Sequence, residues 1–253
     1  MYFLEDVYKS ADRKLFTVIS TFAGGGGSST GYKLAGGNIL AVNEFVESAI
    51  DTYKSNYPNT PILPNDIKEL TGHDLLKAAG IQQGELDILD GSPPCSAFSV
   101  AGKREKGWDK TKKYSDDKQV DNIEDLFFEF TRVAKDVQAK VIIGENVAGI
   151  TMGKAKEYFN RIVNEFDSIG YEAVGKVLNA ADYGTPQARQ RCFFVAIRND
   201  VMNDVGINFM NMDSIIYPEP QTKQPTLREA IEDLENDTEE VQRLLGFVHG
   251  SFQ

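Results

Sequence analysis

Short apolar runs alternate with longer segments of helical spacing along most of the chain. The apolar runs cover residues 15–20, 38–43, 86–90, 140–144 and 192–197, and the helical segments cover 46–55, 122–137 and 154–169. Such strand-helix alternation predicts an α/β fold with a mostly parallel, twisted sheet and helices on both faces. A further strand at 172–178, joined to the next through 179–191, predicts an antiparallel hairpin at one edge.

The chain is long enough for one substantial core. Its 253 residues, 41% of them hydrophobic, suit a single enzymatic domain with a small appendage. We expect a catalytic domain over 1–214. Pro218, Pro220 and Pro225 interrupt the pattern beyond it, so we expect 215–253 to be a linker followed by the acidic helical start of another region.

Several classes of protein are disfavoured by composition. No run approaches the roughly 18 apolar residues of a membrane span, and the N-terminus is too charged for a signal peptide, so we expect a cytoplasmic protein. Two cysteines provide no disulfide framework, and two histidines exclude a His-rich metal cluster. We therefore expect no metal and no membrane partner.

The net charge of −11 argues against nucleic-acid binding, yet the charge is unevenly distributed. Residues 103–118 hold seven basic and four acidic side chains, whereas 226–253 hold two basic and seven acidic. Any polyanion is therefore expected to meet 103–118.

Ligands of open parallel sheets bind outside the carboxyl ends of the strands, so the loops after strands are informative. The first loop, residues 22–31, is FAGGGGSSTG, and glycines there allow close approach of a ligand to backbone N–H groups. Glu44 ends the next strand and can accept hydrogen bonds from ribose hydroxyls. The pattern suits a nucleoside-bearing cofactor, but Ser29 and Thr30 break the dinucleotide signature and disfavour a nicotinamide enzyme. The alternative is a flexible glycine turn with a chance acid downstream.

The second loop, residues 90–99, is DGSPPCSAFS. Its two prolines restrict the backbone ahead of Cys95, and the basic residues that follow would favour a nucleophilic thiolate. The alternative for Cys95 is a buried packing residue. Cys192 opens the apolar run CFFVAI and is predicted to belong to the core.

Two more loops carry unusual polar residues. Glu145, in GENV at the end of an apolar strand, is a candidate proton donor to a substrate, the alternative being a solvated turn residue. Gln187, Arg189 and Arg191 alternate in QARQR and share one face if the segment is extended. Arginines there can bind a phosphate or a carbonyl oxygen, the alternative being an exposed charged edge strand.

Taken together, FAGGGGSSTG, GSPPCSAFS, ENV and QARQR occur in an order and at distances that resemble the cytosine-C5 DNA methyltransferases. The resemblance covers about residues 16 to 198. It implies a Rossmann-like methyltransferase fold, S-adenosylmethionine as cofactor, and double-stranded DNA as partner. This chain departs from the usual family pattern in having a second proline, Pro93, and Ser96 in place of glutamine after the cysteine.

The resemblance also implies residue roles. Cys95 would be the nucleophile, Glu145 and Arg189 would contact the target base, and the Phe22 loop, Glu44 and Asp66–Ile67 would hold the cofactor. The full set is catalytic Cys95, Glu145, Arg189 and Arg191; cofactor-binding Phe22, Ala23, Gly24, Gly26, Gly27, Glu44, Asp66, Ile67 and Pro94; and substrate-binding Ser99, Lys103, Arg104, Asn146, Val147 and Gln187.

The implied reaction adds the Cys95 thiolate to cytosine C6 and methylates C5. Because C6 is inaccessible in a stacked duplex, the base must be flipped out, and 103–118 is the candidate for a mobile loop that closes over it. Restriction-modification and phage self-protection are both compatible roles.

Three alternatives remain. A cysteine hydrolase is disfavoured because neither His73 nor His249 lies in a recognisable partner motif. A cytosine-C5 RNA methyltransferase would keep the fold and the chemistry. The third is a chain inactive alone: we find neither the family's target-recognition region nor its late Gly-Asn motif, so we expect a downstream segment or a second polypeptide to supply target recognition.

Overall fold

The computed structural model describes residues 3–94, 112–113, 119–120, 126–153 and 155–235. Its helices are α1 (Leu4–Ala11), α2 (Gly27–Leu34), α3 (Glu47–Asn56), α4 (Gly72–Ala79), α5 (Leu126–Val137), α6 (Ala155–Ser168), α7 (Asn199–Val205), α8 (Phe209–Ile216) and α9 (Leu227–Glu235). Its strands are β1 (Phe16–Thr21), β2 (Gly37–Asn43), β3 (Ile62–Leu63), β4 (Ile88–Gly91), β5 (Lys112–Lys113), β6 (Gln119–Val120), β7 (Val141–Val147), β8 (Tyr171–Asn179) and β9 (Gln190–Arg198). None of these helices is long and apolar enough to span a bilayer.

Seven strands form one sheet in the order β3-β2-β1-β4-β7-β9-β8, and β5 pairs with β6 separately. The pairs β1-β2, β1-β4, β2-β3 and β4-β7 are parallel, and β9 runs antiparallel to β7. The predicted α/β architecture, with antiparallel pairing towards one edge, is confirmed. From β1 the chain adds β2 and β3 on one side of the sheet and then crosses to add β4 on the other side of β1. The carboxyl ends of β1 and β4, on either side of this switch point, are therefore the expected ligand site.

The structure corrects one boundary that bears on the site. The strand predicted to end at Gly144 continues through Val147, so Glu145 lies on a strand and not in a loop. The reason is pairing with β9, which begins two residues before Cys192 and matches Glu145 with Phe193 and Val147 with Arg191. The ladder formed with β9 satisfies backbone groups of β7 that a loop would leave to solvent.

Two glycines bring β4 and β7 close to α5. A Cβ on Gly91 would lie 2.5 Å from the Phe130 ring, and a Cβ on Gly144 would lie 2.9 Å from the Phe127 ring. Both phenylalanines are buried in the main core. Close packing therefore fixes the end of β4, from which the chain continues to Cys95, and the part of β7 directly before Glu145.

Cys192 is fully buried in the same core, as predicted. Burial raises the pKa of its thiol to about 12, so the thiolate is disfavoured at neutral pH.

The chain divides into two compact units. The larger comprises residues 2–177 and 191–218; the described part of the smaller comprises 178–190 and 219–235. In the smaller unit the Ala180 N–H donates to the Arg189 carbonyl at 2.9 Å, and the Gln221 N–H donates to the Asp182 carbonyl at 2.7 Å. The expected division after residue 214 stays a prediction.

Candidate active site

One cleft in the larger unit collects predicted residues from several loops. It holds about 630 Å³ of empty space, part of it open to solvent. Phe22, Glu44, Asp66, Ile67 and Pro94 all line it. The remaining lining residues are Asn43, Phe45, Val46, Ser92 and Leu126, which sequence reasoning did not identify. Phe45 could have been suspected because it directly follows Glu44.

The turn after β1 has a constrained backbone. Phe22 has a φ of 53°, in the left-handed region that residues with a side chain rarely adopt. Two contacts hold this turn: the Ser92 hydroxyl donates to the Phe22 carbonyl at 3.3 Å, and the Ala23 N–H donates to the Asn43 carbonyl at 3.1 Å. Backbone strain of about 1–3 kcal/mol that persists under such contacts is typical of binding sites.

The glycine loop packs against Tyr53 of α3 and against Tyr57, which follows the end of that helix. Gly26 has a φ of 97°, and a Cβ there would lie 3.1 Å from the Tyr57 ring and 3.2 Å from the Tyr53 ring. The Tyr53 hydroxyl donates to the Ser29 hydroxyl at 3.0 Å. Gly26 is therefore required both by backbone conformation and by space, whereas a Cβ on Gly24, which has a φ of 54°, would meet no atom within 4 Å.

Glu44 is buried, and its carboxylate accepts hydrogen bonds from three backbone N–H groups. Its Oε2 accepts from the Gly24 N–H at 2.8 Å, and its Oε1 accepts from the N–H groups of Phe45 at 2.9 Å and Val46 at 2.8 Å. The carboxylate thus joins the glycine loop to the segment after β2. Since a carboxylate oxygen can accept two hydrogen bonds, Oε2 keeps capacity for a ligand hydroxyl.

Glu145 and Arg191 form an ion pair, with 3.0 Å between Glu145 Oε1 and Arg191 Nε. Both side chains are partly buried, with exposed fractions of 31% and 26%. The neighbouring Asn146 points to the opposite face of β7, where its amide donates to the Pro93 carbonyl at 3.5 Å and its Oδ1 accepts from the Val147 N–H at 2.8 Å. The strand that carries Glu145 therefore contacts the segment that leads to Cys95.

Comparison with known proteins decides the family. A sequence model of the family described as C-5 cytosine-specific DNA methylase matches residues 16–247.

The chain belongs to this family.

Curated relatives of this C-5 cytosine methylase chain are Type II methyltransferases. It is 32% identical to M.FnuDI of Fusobacterium nucleatum over 220 residues, covering 87% of this chain and 56% of the relative. It is 35% identical to M.DdeI of Desulfomicrobium norvegicum over 222 residues, covering 86% and 48%. The match to M.AquIA of Picosynechococcus, at 32% identity, covers 82% of this chain and 79% of the relative. The chain thus spans about half the length of the first two relatives and most of the third.

Solved structures share the fold. A crystal structure from E. coli, described as that of a prophage-encoded DNA modification methyltransferase, superposes with a TM-score of 0.65 at 23% identity, covering 85% of this chain and 54% of the other. A DNMT2 mutant of Spodoptera frugiperda superposes with a TM-score of 0.54 at 22% identity, covering 73% and 50%. At 22–23% identity, these two structures show similarity of fold only.

Two further groups of predicted site residues of this cytosine methylase family member differ in whether the structure describes them. Cys95, Ser99, Lys103 and Arg104, with most of the 103–118 segment, lie outside the described residues. Gln187 and Arg189 belong to the smaller unit, where both side chains are exposed. The roles expected of all these residues stay predictions.

A buried acid that sequence reasoning did not select lies at the end of β4. Asp90 is 7% exposed; its carboxyl group accepts from the Ser20 hydroxyl at 2.6 Å and from the Tyr32 hydroxyl at 3.1 Å. Burial raises the pKa of Asp90, and hydrogen bonds from Ser20, Ser28 and Tyr32 oppose that rise. Its position, ending an apolar strand five residues before Cys95, is the signal that could have identified it.

No group of three or more His, Cys, Asp or Glu side chains among the described residues is arranged to hold a metal ion.

Proposed function

We propose that this chain carries the catalytic machinery for transferring a methyl group from S-adenosylmethionine to C5 of cytosine in DNA. The observation that carries the proposal is the shared cleft: Pro94 lines it together with Glu44 and Asp66. Cys95 is the next residue in the sequence after Pro94. A cofactor held by the two acids would therefore meet the segment that presents the nucleophile.

The cleft suits the adenosine part of the cofactor. Phe22, Phe45 and Ile67 provide apolar surface for a purine ring. The remaining acceptor site on Glu44 Oε2 suits a ribose hydroxyl. A local hydrogen bond orients the Asp66 side chain: its Oδ1 accepts from the Lys68 N–H at 3.0 Å. When bound, S-adenosylmethionine supplies an electrophilic methyl group.

Cytosine C5 is too electron-poor to be methylated directly, so the protein must first activate the ring. The Cys95 thiolate would form a bond from Sγ to C6, and the electron pair of the C5–C6 double bond would become available at C5. A proton that Glu145 takes from solvent would pass to N3, and the carboxylate would accept a hydrogen bond from the exocyclic amine, which stabilises the charge that develops in the ring. After methylation, loss of the C5 proton to solvent, expulsion of the Cys95 thiolate and return of the N3 proton to Glu145 would restore the aromatic ring.

Arg191 is placed to orient Glu145. The 3.0 Å ion pair fixes one carboxylate oxygen of Glu145, leaving the other to face a base. In this proposal Arg191 is the partner of Glu145, and Arg189 contacts the DNA or the O2 side of the base.

The substrate base would be flipped out of double-stranded DNA, because addition to C6 requires access to the face of the ring. We propose that the basic segment 103–118 closes over the flipped base. Its surplus of basic side chains, seven against four acidic, is the supporting observation.

We further propose that target recognition needs sequence beyond the matched region, supplied by downstream residues or by a second polypeptide. The supporting observation is the coverage: the match leaves 44% of M.FnuDI and 52% of M.DdeI unmatched. We expect the 253-residue chain alone to bind S-adenosylmethionine weakly and to methylate little DNA. Robust sequence-specific methylation by the purified chain would contradict this expectation.

A trapped covalent adduct tests the reaction. The chain, with and without a downstream fragment, is incubated with S-adenosylmethionine and DNA containing 5-fluorocytosine, whose fluorine blocks the final elimination. We expect an adduct that is lost in Cys95→Ala and retained in Cys192→Ala, because Cys192 is a core residue with a disfavoured thiolate.

Two results would overturn the proposal. One is an adduct that persists in Cys95→Ala. The other is the absence of an adduct in every preparation. Incubation with RNA containing 5-fluorocytosine tests the alternative substrate, and an adduct formed only with that RNA would reassign the substrate to RNA.

A further inference from the structure

One turn in the wall of the cleft has a donor and an acceptor to spare. Asp66 and Ile67 both line the cleft. The Ile67 N–H has no acceptor among the described residues, although Ile67 is only 3% exposed. Asp66 Oδ1 accepts from the Lys68 N–H, whereas no described residue donates to Asp66 Oδ2. A buried N–H without a partner is costly, so this turn suits a ligand that supplies an acceptor beside a donor.

The edge of an adenine ring has that pattern. Its N1 accepts a hydrogen bond, and the neighbouring 6-amino group donates one, which complements the Ile67 N–H and the Asp66 carboxylate. Hypoxanthine, the deaminated base, reverses the pattern, since its N1 carries a hydrogen and its position 6 is a carbonyl oxygen. A site that pairs with one pattern discriminates against the other, because buried polar groups would be left unpaired.

Arg132, on α5, binds the backbone of this turn. Its Nη2 donates to the Ile67 carbonyl at 2.7 Å and to the Leu70 carbonyl at 2.9 Å. Glu129, on the same helix, accepts from Arg132 Nε at 2.7 Å and so orients the guanidinium group. Leu126, the first residue of α5, lines the cleft itself. One helix therefore contributes to the cleft and also holds the turn.

A single peptide group connects Arg132 with Asp66. Its oxygen is the Ile67 carbonyl, which accepts from Arg132, and its N–H belongs to Lys68 and donates to Asp66 Oδ1 at 3.0 Å. The peptide is planar, so partners at its oxygen and at its hydrogen together restrict its rotation. Hydrogen bonds in such a chain also strengthen one another. Arg132 thereby influences the orientation of the Asp66 carboxylate and of the adjoining Ile67 N–H.

We propose that Arg132 is a positioning residue that makes the cleft selective for adenine over its deaminated counterpart. It acts through the peptide between Ile67 and Lys68, which keeps the donor and the acceptor at the spacing of the adenine edge. The proposal rests on the cofactor assignment made above and adds the group that sets its base selectivity. An arginine needed for folding alone would change the affinities for the two bases equally.

Base selectivity is therefore the measurement that tests the proposal. Equilibrium dialysis of the full chain gives the dissociation constants of S-adenosylhomocysteine and of S-inosylhomocysteine, its deaminated analogue. We expect the wild type to prefer the adenine ligand by about 100-fold or more. Arg132→Ala should reduce this preference by about tenfold, because the donor and the acceptor are no longer held together. Circular dichroism checks that the variant is folded.

Arg161→Ala is the matched control. The Arg161 guanidinium lies 4.6 Å from the centroid of the Phe128 ring, which belongs to α5. Its loss removes a contact of the same helix and leaves the hydrogen bonds to the turn in place. This variant should keep the preference of the wild type for adenine.

A second variant covers the case in which Arg132→Ala does not fold. Arg132→Gln keeps a polar group at this partly exposed position, but glutamine is too short to reach both carbonyl groups. A preference that is unchanged in the folded Arg132 variant, equally reduced in Arg161→Ala, or absent in the wild type would overturn the proposal. Failure of both ligands to bind the wild-type chain would instead overturn the cofactor assignment itself.

Discussion

Arg191 contacts Glu145 diagonally across the antiparallel pair of β7 and β9, with 3.0 Å between Nε and Oε1. Glu145 is directly opposite Phe193, and Arg191 is directly opposite Val147, so the two charged side chains share one face of the sheet. The ion pair distinguishes Arg191 from Arg189. Arg191 belongs to the larger unit, as does its carboxylate partner Glu145, whereas Arg189 belongs to the smaller unit.

The first prediction distinguishes Arg191 from Arg189. In a preparation that methylates DNA, Arg191→Ala should lower the turnover rate by about 100-fold, because Glu145 loses its orienting donor. Loss of this partly exposed ion pair should reduce the free energy of unfolding by about 1 kcal/mol at most. Arg189→Ala should act mainly on the Michaelis constant for DNA. Steady-state kinetics of both variants tests this, and an equal loss of turnover in Arg189→Ala would contradict it.

The second prediction concerns Glu44. In Glu44→Gln the amide can present only one oxygen, so an NH₂ group must face either the Gly24 N–H or the N–H groups of Phe45 and Val46. We expect a loss of about 1–3 kcal/mol in the free energy of unfolding and at least about tenfold weaker binding of S-adenosylmethionine. Urea denaturation and calorimetry measure the two effects. Exposed Glu47, mutated to Gln, is the control, and similar losses there would argue against a specific role of Glu44.

The third prediction compares two glycines of one loop. Gly24 and Gly26 both have positive φ, so alanine at either position should cost about 1 kcal/mol of backbone strain. Alanine at position 26 should cost about 1–3 kcal/mol more, because its Cβ meets both tyrosine rings. Thermal or urea denaturation of Gly24→Ala and Gly26→Ala checks the difference. Equal destabilisation would show that the tyrosine rings move aside without cost.

The fourth prediction is the dependence of stability on pH through Asp90. Burial raises the pKa of Asp90 in the folded chain above its ordinary value. Its stabilising contribution is therefore fully present below the pKa of the unfolded chain and is lost as pH rises through the pKa of the folded chain. Asp90→Asn does not titrate, so the free energy of unfolding of the wild type should fall relative to this variant as pH rises.

Urea denaturation of both proteins between about pH 4 and pH 8 makes this comparison. A difference between the two that stays constant over the whole range would show that Asp90 has the same pKa in the folded and unfolded chains.

The type and order of the main elements could be predicted because their signals are local. The apolar run at 38–43 corresponds to β2, and the helical spacing at 46–55 corresponds to α3. The same holds for the glycine loop and Glu44, since a turn after a strand and an acid at the next strand end are visible within a few residues. The family resemblance connected these segments to one expected chemistry, and the family match confirms membership of the family.

Tertiary structure alone decided which of these residues touch. Glu145 lies on a strand and not in a loop because β9 pairs with it, and it meets Arg191, 46 positions away, through the register of that pairing. Asp90 finds Ser20, 70 positions away, only because β4 lies beside β1. Local periodicity carries no information on strand order or register, which are set by how the whole core packs.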